Sequence, residues 1–364
     1  MRRLPPDGAI PIVWHSTAGR RRGMSLDTTV TAGKAPTAEL NAAERLADMA
    51  QSDMRRVDAL ILDRMGSPVP LIPKLARYLV EAGGKRIRPL ITLATARMLS
   101  YEGDAQLKLA AAVEFIHTAT LLHDDVVDES DLRRGRKSAN IVWGNAPSVL
   151  VGDFLFARAF MLMVDAESLP ALHSLSRAAS VIAEGEVRQL AATGDVNVSE
   201  ASYRAIIEAK TAALFAAAAE VSGIVANRTE DEIAALDRYG REIGLAFQLV
   251  DDMLDYGGLS ATLGKKTGDD FREGKVTLPV TIAIAAADDE ERAFWTRVIA
   301  DKDQKDGDFE HALDLISKHG ALQATLEAAR THAANAREAL SGFPDNVWKT
   351  ALIDLADFVV ERAH

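Results

Sequence analysis

Apolar residues recur at helical spacing from Ala38 almost to the end of the chain, and this pattern restricts the fold more than any other feature. Long Ala- and Leu-rich segments are separated by Gly, Pro, Asp or Asn, and no stretch alternates like a strand over a useful length. The sequence therefore predicts an all-α fold. The predicted helices cover about 40–64, 70–81, 88–100, 105–128, 146–164, 171–193, 200–222, 230–256 and 278–287, with several more between 289 and 363.

The composition favours a globular protein with a sizeable core and excludes several kinds of chemistry. The 364 residues are 48% hydrophobic and include no cysteine, so disulfides, thiolate zinc sites and cysteine nucleophiles are excluded. A net charge of −11 and a pI of about 5.3 argue against non-specific nucleic-acid binding. No uninterrupted apolar run reaches the roughly 18 residues of a membrane span, so we expect a cytoplasmic protein with at most peripheral membrane contact.

Residues 1–38 are expected to form a disordered extension, followed by a single domain over 39–364. The extension is rich in Pro, Gly, Ser and Thr and carries an arginine run at 20–22. A transit peptide is the alternative for an arginine-rich start, and translation from Met24 would remove most of the segment.

Two aspartate clusters of the same form, D-D-x-x-D, lie far apart in the helical pattern. Residues i and i+4 of a helix share a face and residue i+1 flanks it, so each cluster projects three carboxylates from about one turn. Both lie near the C-terminal end of a long predicted helix, where the negative dipole end makes clustered carboxylates costly without a cation. Such oxygen ligands suit Mg²⁺ shared with substrate phosphates, and a solvated polar face is the alternative. The clusters are Asp124, Asp125 and Asp128, and Asp251, Asp252 and Asp255.

The segment GGKRIRP at 83–89 precedes an apolar helix and has the features of an anion site. Its glycines let the backbone approach a ligand, and the helix start offers free N–H groups and a positive dipole end. Lys85, Arg86 and Arg88 add charge, and Pro89 is expected at the first helical position. A basic turn capped by a helix is the alternative interpretation.

Further basic groups flank both clusters. Two arginines at 133–134 follow the first cluster, with local pairing to Glu129 and Asp131 as the alternative. Lys210 lies in an Ala-rich helix, where a snorkelling surface lysine is the alternative. The loop of about 20 residues after the second cluster is rich in Gly, Lys and Asp, which suits a mobile lid over an anion.

Together these stretches resemble the trans-type isoprenyl diphosphate synthases, the polyprenyl synthetases, over about residues 40–364. The matching stretches, in the family's order, are 83–89, 114–117, 121–128, 133–135, 210–211, 244–255 and 275–279. The resemblance implies a bundle of long antiparallel helices around a deep central cavity, and a homodimer.

The resemblance also implies a role for each matching residue. All six aspartates would bind Mg²⁺, about three ions per active site, with Asp251 the most secure ligand in the second cluster. The catalytic residues would be Asp124, Asp125, Asp128, Lys210, Asp251 and Lys265. The allylic diphosphate would contact Arg133, Lys210, Thr211, Gln248 and Lys265, with Lys275 nearby. Isopentenyl diphosphate would be held by Lys85, Arg88, His117 and Arg134.

The implied reaction is elongation of an allylic diphosphate such as geranyl or farnesyl diphosphate by ionisation, condensation and elimination. The difficult step is charge separation, which metal ions and basic side chains on the departing diphosphate would ease. That diphosphate can accept the final proton, so no dedicated protein base is required. His117 lies seven residues before Asp124 on the same face, and we interpret it as a hydrogen-bond donor to diphosphate. A structural histidine is the alternative.

Three side chains upstream of the first cluster predict the product length. In short-chain members of the family, bulky aromatics at the fourth and fifth positions before this cluster block the path of the growing tail. Here Thr120 and Ala119 occupy those positions and are small, and Ile116 lies one turn further along. We therefore expect a product of about eight to ten isoprene units, used as a quinone side chain.

Other functions remain as alternatives. A shorter-chain farnesyl or geranylgeranyl diphosphate synthase would share the chemistry. A class I terpene cyclase would share the helical bundle, but the second D-D-x-x-D cluster and segment 83–89 argue against it. A non-catalytic subunit of a heteromeric synthase would tend to lose aspartates, and none is missing here. A helical scaffold would not explain the ordered motifs.

Overall fold

The apolar-periodic segments form helices in the computed structural model, which describes residues 40–81, 83–257 and 268–362. The all-α prediction is confirmed over these residues. The helices are α1 (Ala42–Met49), α2 (Gln51–Arg64), α3 (Leu71–Glu81), α4 (Ile87–Met98), α5 (Ala105–Val127), α6 (Ala139–Trp143), α7 (Asn145–Asp165), α8 (Leu169–Ala192), α9 (Glu200–Ile207), α10 (Ala213–Val225), α11 (Glu230–Tyr256), α12 (Asp269–Glu273), α13 (Leu278–Ala286), α14 (Asp289–Trp295), α15 (Asp308–Lys318), α16 (Ala321–Ala339) and α17 (Val347–Glu361).

Some helix boundaries differ from the sequence prediction. The predicted helix over 40–64 is divided at Ala50, which ends α1 and begins α2. Helix α4 begins at Ile87, so Pro89 is its third residue and not its first. Proline is still tolerated there, because the first four N–H groups of a helix have no partner within it.

Helix α5 forms the centre of the fold and carries the first aspartate cluster at its C-terminal end. It packs against α2, α4, α7 and α10. Val113, Ile116, Ala119 and Leu122 are all fully buried along it. Because α5 is enclosed on several sides, the cluster at its end is held in a fixed position relative to its neighbours.

Helices α10 and α11 approach each other closely where α11 carries glycine. A Cβ at Gly240 would lie 2.2 Å from the carbonyl oxygen of Phe215, and a Cβ at Gly244 would lie 2.6 Å from Cα of Ala212. Helix α16 packs against α11 as well. These contacts hold the second cluster, near the end of α11, against the segment that contains Lys210.

A short hairpin follows the first cluster and interrupts the helical pattern. Strands β1 (Leu132–Arg133) and β2 (Arg136–Lys137) pair antiparallel, with Arg133 opposite Arg136. The connecting residues Arg134 and Gly135 both have positive φ, 53° and 74°, as a two-residue hairpin turn of type I′ requires. Two-residue strands are too short for a periodicity search to detect.

One described helix is long and apolar enough to cross a membrane by length and composition, contrary to the sequence expectation. It is α7, which has a mean hydropathy of 1.6 over its most apolar 18-residue window, of which 39% is buried. The uninterrupted-run criterion missed it because Asp153 and Arg158 divide its apolar residues.

Some predictions fall outside the described residues. The expected disordered extension 1–38 is one of them, as is Lys265 in the loop after the second cluster. The central part of the proposed lid, 258–267, lies outside as well. The described residues all belong to one compact unit, Leu40–His364.

Candidate active site

The two clusters have the same internal arrangement. The middle aspartate of each is turned into the protein, so Asp125 is fully buried and Asp252 is 3% exposed. The outer aspartates are only partly buried: Asp124 and Asp128 in the first cluster, Asp251 and Asp255 in the second. This is what a helix produces, because i and i+4 share a face while i+1 is rotated by about 100°.

Arg133 is held by the buried middle aspartate of the first cluster. Its Nε and Nη2 donate to Asp125 Oδ1 at 2.8 and 2.5 Å. Asn140 Nδ2 donates to the main-chain oxygen of Asp125 at 2.9 Å. Burial raises the pKa of Asp125, and Arg133 opposes that shift. The alternative of local pairing between the arginines and Glu129 or Asp131 is therefore wrong for Arg133.

Lys210 and Lys275 reach the outer aspartates of the first cluster from other elements. Lys210 Nζ lies 3.9 Å from Asp124 Oδ2 and 2.8 Å from Glu186 Oε2 on α8. Lys275 Nζ lies 3.1 Å from Asp128 Oδ2. Lys275 follows the second cluster in sequence, so the chain on that side folds back onto the first. Lys210 faces this site and is not a snorkelling surface residue.

The charges at the first cluster depend on burial as well as on these partners. Burial raises the pKa of Asp124 to about 7, although Lys210 pulls it downward. Burial lowers the pKa of Lys275, but Asp128 and Glu273 outweigh this effect and leave it above its usual value. The partly desolvated carboxylate of Asp124 would gain from a cation of higher charge density than an ammonium group.

Lys210 and Thr211 lie in a π-helical turn, Glu208–Ala212, inserted between α9 and α10. π-helical turns are rare in proteins overall, and those that do occur often lie at functional sites. Thr211 Oγ1 donates to Gln248 Oε1 at 2.8 Å, and Gln248 Nε2 donates to Asp252 Oδ1 at 2.6 Å. The turn thus connects the lysine beside the first cluster with the second cluster. Sequence periodicity indicated one continuous helix here and missed the turn.

The basic turn before α4 is held in place by an ion pair. Arg86 has a left-handed backbone, with φ of 49°, and its Nη1 lies 2.7 Å from Glu114 Oε1. Gly84 leaves room for Arg134, since a Cβ there would lie 2.6 Å from Arg134 Nη1. The pocket at this turn is lined by Leu79, Gly83, Arg86, Glu114, Thr118, Leu121, Arg133 and Arg134. It brings together three arginines that the sequence indicated as anion-binding candidates: Arg86, Arg133 and Arg134.

Arg88 on α4 and His117 on α5 lie side by side. Arg88 Nη1 is 3.3 Å from His117 Nε2, and its guanidinium stacks 4.2 Å above the Phe215 ring. Burial lowers the pKa of Arg88 to about 10. Burial, together with four neighbouring arginines, lowers the pKa of His117 well below its usual value, so the imidazole is neutral. A neutral imidazole can still donate one hydrogen bond, as predicted for His117. Lys85, also predicted to bind here, is exposed in the turn.

The second cluster has a partner that the sequence did not indicate. Arg362 Nη2 lies 3.0 Å from Asp251 Oδ1, and the guanidinium stacks 3.8 Å above the Phe247 ring. Asp255 accepts hydrogen bonds from the backbone N–H groups of Asp269 and Asp270 at the start of α12. Arg362 is 111 residues from Asp251 in sequence, so no local pattern could have revealed the contact.

The predicted chain-length residues lie on α5 immediately before the first cluster. Ile116 and Ala119 are fully buried, and Thr120 is partly buried. Thr120 Oγ1 donates to the main-chain oxygen of His117 at 2.9 Å, so its hydroxyl is used locally. No aromatic side chain occupies positions 119 and 120 on the helix.

The donor set suits magnesium in an open site shared with phosphate. Among the described residues, no three acidic or histidine side chains converge closely enough to enclose an ion by themselves. Mg²⁺ does not need such a cage, because it keeps several waters and binds through one or two carboxylates plus substrate phosphates. Asp125 Oδ2 is buried without a hydrogen-bond partner, while Arg133 pairs with the other oxygen of the same carboxylate.

Comparison with known proteins decides the family. The family model described as polyprenyl synthetase matches residues 69–316. The chain belongs to the polyprenyl synthetase family. This polyprenyl synthetase is 47% identical to the octaprenyl diphosphate synthase of Escherichia coli over 319 residues, which cover 88% of this chain and 98% of that one.

Two solved structures resemble this polyprenyl synthetase closely. A decaprenyl diphosphate synthase from Rhodobacter capsulatus superposes with a TM-score of 0.86 at 55% identity, covering 88% of this chain and 99% of that one. A polyprenyl synthase from Caulobacter crescentus, complexed with calcium and isoprenyl diphosphate, superposes with a TM-score of 0.85 at 56% identity, covering 88% and 98%. The isoprenoid synthase fold and prenyltransferase activity follow from this membership.

Proposed function

We propose that this polyprenyl synthetase adds isopentenyl diphosphate repeatedly to an allylic diphosphate primer and makes an all-trans product of about C40–C50 for a quinone side chain. The observation that carries the length is the pair of small side chains, Ala119 and Thr120, one turn before the first cluster. The similarity to octaprenyl and decaprenyl diphosphate synthases supports the same length class.

The outer aspartates are the proposed metal ligands. Asp124 and Asp128 project from one turn of α5, and Asp251 and Asp255 from one turn of α11. When bound, Mg²⁺ would neutralise the diphosphate and stabilise the charge that develops as it leaves. The sequence analysis included Asp125 and Asp252 among the ligands. We now propose that they act through protein partners, because both are buried and hydrogen-bonded to other side chains.

The basic residues divide between two diphosphates. Lys210, Arg133 and Lys275 surround the first cluster and would hold the departing diphosphate of the primer. Lysine and arginine fixed in place stabilise developing anionic charge without reorganising during the reaction. Lys265, outside the described residues, is proposed to join this group.

Isopentenyl diphosphate is proposed to bind at the basic pocket before α4. Arg134 and Arg86 line that pocket, and Arg88 and His117 are close enough to Arg134 to respond to its charge. Because the pKa of His117 is lowered, its ring would donate a hydrogen bond and not act as a general acid. The released diphosphate would take the proton from the condensed product.

We further propose a cytoplasmic homodimer. Large apolar side chains lie exposed on one face of α7, including Leu150 at 67% and Val164 at 62%. Exposed apolar surface of this kind commonly marks an interface, and a second copy of the same chain is the usual occupant. The other exposed apolar residues of α7 and α8 are Val149, Phe160, Met161, Leu169, Val187 and Leu190.

The test of the reaction class uses the purified chain alone with farnesyl diphosphate and radiolabelled isopentenyl diphosphate. Product formation should require isopentenyl diphosphate and should stop when EDTA removes the metal. Release of diphosphate from farnesyl diphosphate alone, with a cyclised product, would indicate a terpene cyclase. Activity that appears only after a second protein is added would indicate a non-catalytic subunit.

A further inference from the structure

Tyr203, on α9, is joined to the second cluster by a buried hydrogen bond. Its hydroxyl donates to Asp252 Oδ2, and both residues are 3% exposed. The other oxygen of Asp252 accepts from Gln248, which in turn accepts from Thr211. The four side chains form one continuous chain of hydrogen bonds, named here the Tyr203 relay.

The bonds of the Tyr203 relay run toward Asp252, and both of its oxygens accept. Burial raises the pKa of Asp252, and the bonds from Tyr203 and Gln248 oppose that shift and favour the carboxylate. A carboxylate only accepts hydrogen bonds, so Gln248 must turn its amide NH₂ toward Asp252 and its carbonyl oxygen toward Thr211. The Thr211 hydroxyl then donates its only proton to Gln248, so it can only accept a hydrogen bond from a bound molecule. Reversing Gln248 would reverse what Thr211 offers to a bound molecule.

Tyr203 donates to Asp252 Oδ2, the carboxylate oxygen that does not accept from Gln248. A buried carboxylate oxygen without a donor is costly, and hydrogen bonds to an ionised group are stronger than neutral ones. Without the tyrosine hydroxyl, Asp252 Oδ2 would compete for the amide of Gln248 or rotate toward the outer aspartates. Tyr203 therefore keeps Asp252 turned inward.

The Tyr203 relay also spans the π turn. Tyr203 precedes the turn Glu208–Ala212, Thr211 lies within it, and Gln248 and Asp252 lie on the facing helix α11. The relay thus ties α9 and the turn to α11 at two points. Lys210, next to Thr211, shares this fixed backbone.

We propose that Tyr203 is a positioning residue for the primer: it orients Gln248 and Thr211 through Asp252, which acts as an anchor and not as a metal ligand. This inference rests on the proposed binding of the primer diphosphate beside Lys210 and Thr211. Middle aspartates in both clusters then share one role, since Asp125 anchors Arg133 in the same way.

The first experiment compares Tyr203→Phe with Tyr239→Phe as a matched control. Tyr239 is also fully buried, but its hydroxyl donates to the main-chain oxygen of Leu352 at 2.9 Å. Tyr203→Phe should lower kcat/KM for farnesyl diphosphate by about ten- to hundredfold, as loss of an outer partner typically does. KM for isopentenyl diphosphate should stay unchanged, and Tyr239→Phe should retain the wild-type constants.

Equal kinetic constants in the two variants, with only a loss of Tm in each, would overturn the inference. Binding of inorganic diphosphate with Mg²⁺, measured calorimetrically, gives a readout that needs no turnover. It should be weakened by Tyr203→Phe and not by Tyr239→Phe. If the wild type made no prenyl product, the proposed function would fail, and this binding comparison would still decide the role of Tyr203.

The second experiment exchanges charge within the relay. In Asp252→Asn the amide oxygen should keep the bond from the buried Tyr203 hydroxyl, which donates to no other group among the described residues. The NH₂ group then faces Gln248 and should turn it around, which reverses Thr211 and lowers kcat/KM for the primer. Adding Gln248→Glu supplies an acceptor both to Thr211 and to the amide introduced at position 252, so the double variant should recover activity. Calorimetric titration with Mn²⁺ should show equal affinity in the wild type and both variants. A loss of Mn²⁺ affinity in Asp252→Asn that the double variant does not regain would identify Asp252 as a ligand.

Discussion

At the residue scale, helical geometry gives the outer and middle aspartates of each cluster different roles. The outer aspartates face the site, and the middle aspartate reaches back to a partner that holds it. Asp125 is paired with Arg133 at 2.5 Å, with side-chain exposures of 1% and 31%. Because a buried carboxylate without its partner is strongly destabilising, the arginine has a structural role in addition to its proposed contact with diphosphate.

Replacing Arg133 by methionine should therefore lower the free energy of unfolding by about 3 kcal/mol, since Asp125 would keep a buried charge without its cation. The double variant Asp125→Asn with Arg133→Met should recover much of that loss, because the charge is removed with its partner. Urea denaturation monitored by circular dichroism measures both. Equal stability of wild type and Arg133→Met would show that the pair contributes nothing to folding.

Ala119 tests the basis of the predicted product length. Ala119→Phe should shorten the product, because an aromatic ring one turn before Asp124 would obstruct the tail. Ala111→Phe is the control, since Ala111 is also fully buried on α5 but lies opposite Thr120 and away from the face of Asp124. Chromatography of the products compares them. Unchanged length in Ala119→Phe, or equal shortening in both, would remove the tunnel argument.

The site residues differ in how far the sequence could predict them. The outer aspartates and Arg134 were predicted from spacing within one helix or from nearness to the first cluster, whereas the role of Lys210 was predicted from the family resemblance. Tyr203 and Arg362 were missed because they reach the second cluster from other helices. Their positions depend on helix packing, which one sequence does not encode in any local spacing. The two-residue hairpin strands and the five-residue π turn were missed because both are shorter than the window of about 11–18 residues over which periodicity is read.

At the scale of elements, the distance between α10 and α11 sets how the second cluster meets the π turn. Gly240 and Gly244 permit that approach, and the Tyr203 relay crosses it. Helical periodicity placed both helices correctly but could not give their separation, which depends on residues without side chains at the contact. The site is therefore sensitive to how closely these helices pack.

Gly240→Ala should destabilise the protein by about 1–3 kcal/mol, because the added methyl group would lie 2.2 Å from the carbonyl oxygen of Phe215. The helices would separate and weaken the relay, so kcat/KM for the primer should fall as well. Gly342→Ala is the control, since a Cβ there meets nothing within 4 Å. Thermal unfolding of both variants gives the comparison, and equal Tm values would contradict the proposed close packing.

At the scale of the whole molecule, the exposed apolar face of α7 connects assembly with product length. Helix α7 packs against α5, which carries both the first cluster and the chain-length residues. A second copy covering α7 would support the helix that lies against α5. The same apolar face explains why α7 meets the length and hydropathy of a membrane span.

Leu150→Lys should convert the proposed dimer to monomer, because it introduces a charge at the most exposed apolar side chain of α7. Val347→Lys is the control, since Val347 is 68% exposed on α17, a helix that packs against α1, α4, α11 and α16. Light scattering coupled to size exclusion gives the molar mass of each. A wild-type protein that is already monomeric would contradict the proposed assembly.

The length of the product tests the proposed function most directly. Purified enzyme is incubated with farnesyl diphosphate, excess isopentenyl diphosphate and Mg²⁺, and the dephosphorylated products are separated by chromatography. Small side chains at 119 and 120 predict a main product of about forty to fifty carbons. A main product that stops at fifteen or twenty carbons would contradict long-chain synthesis.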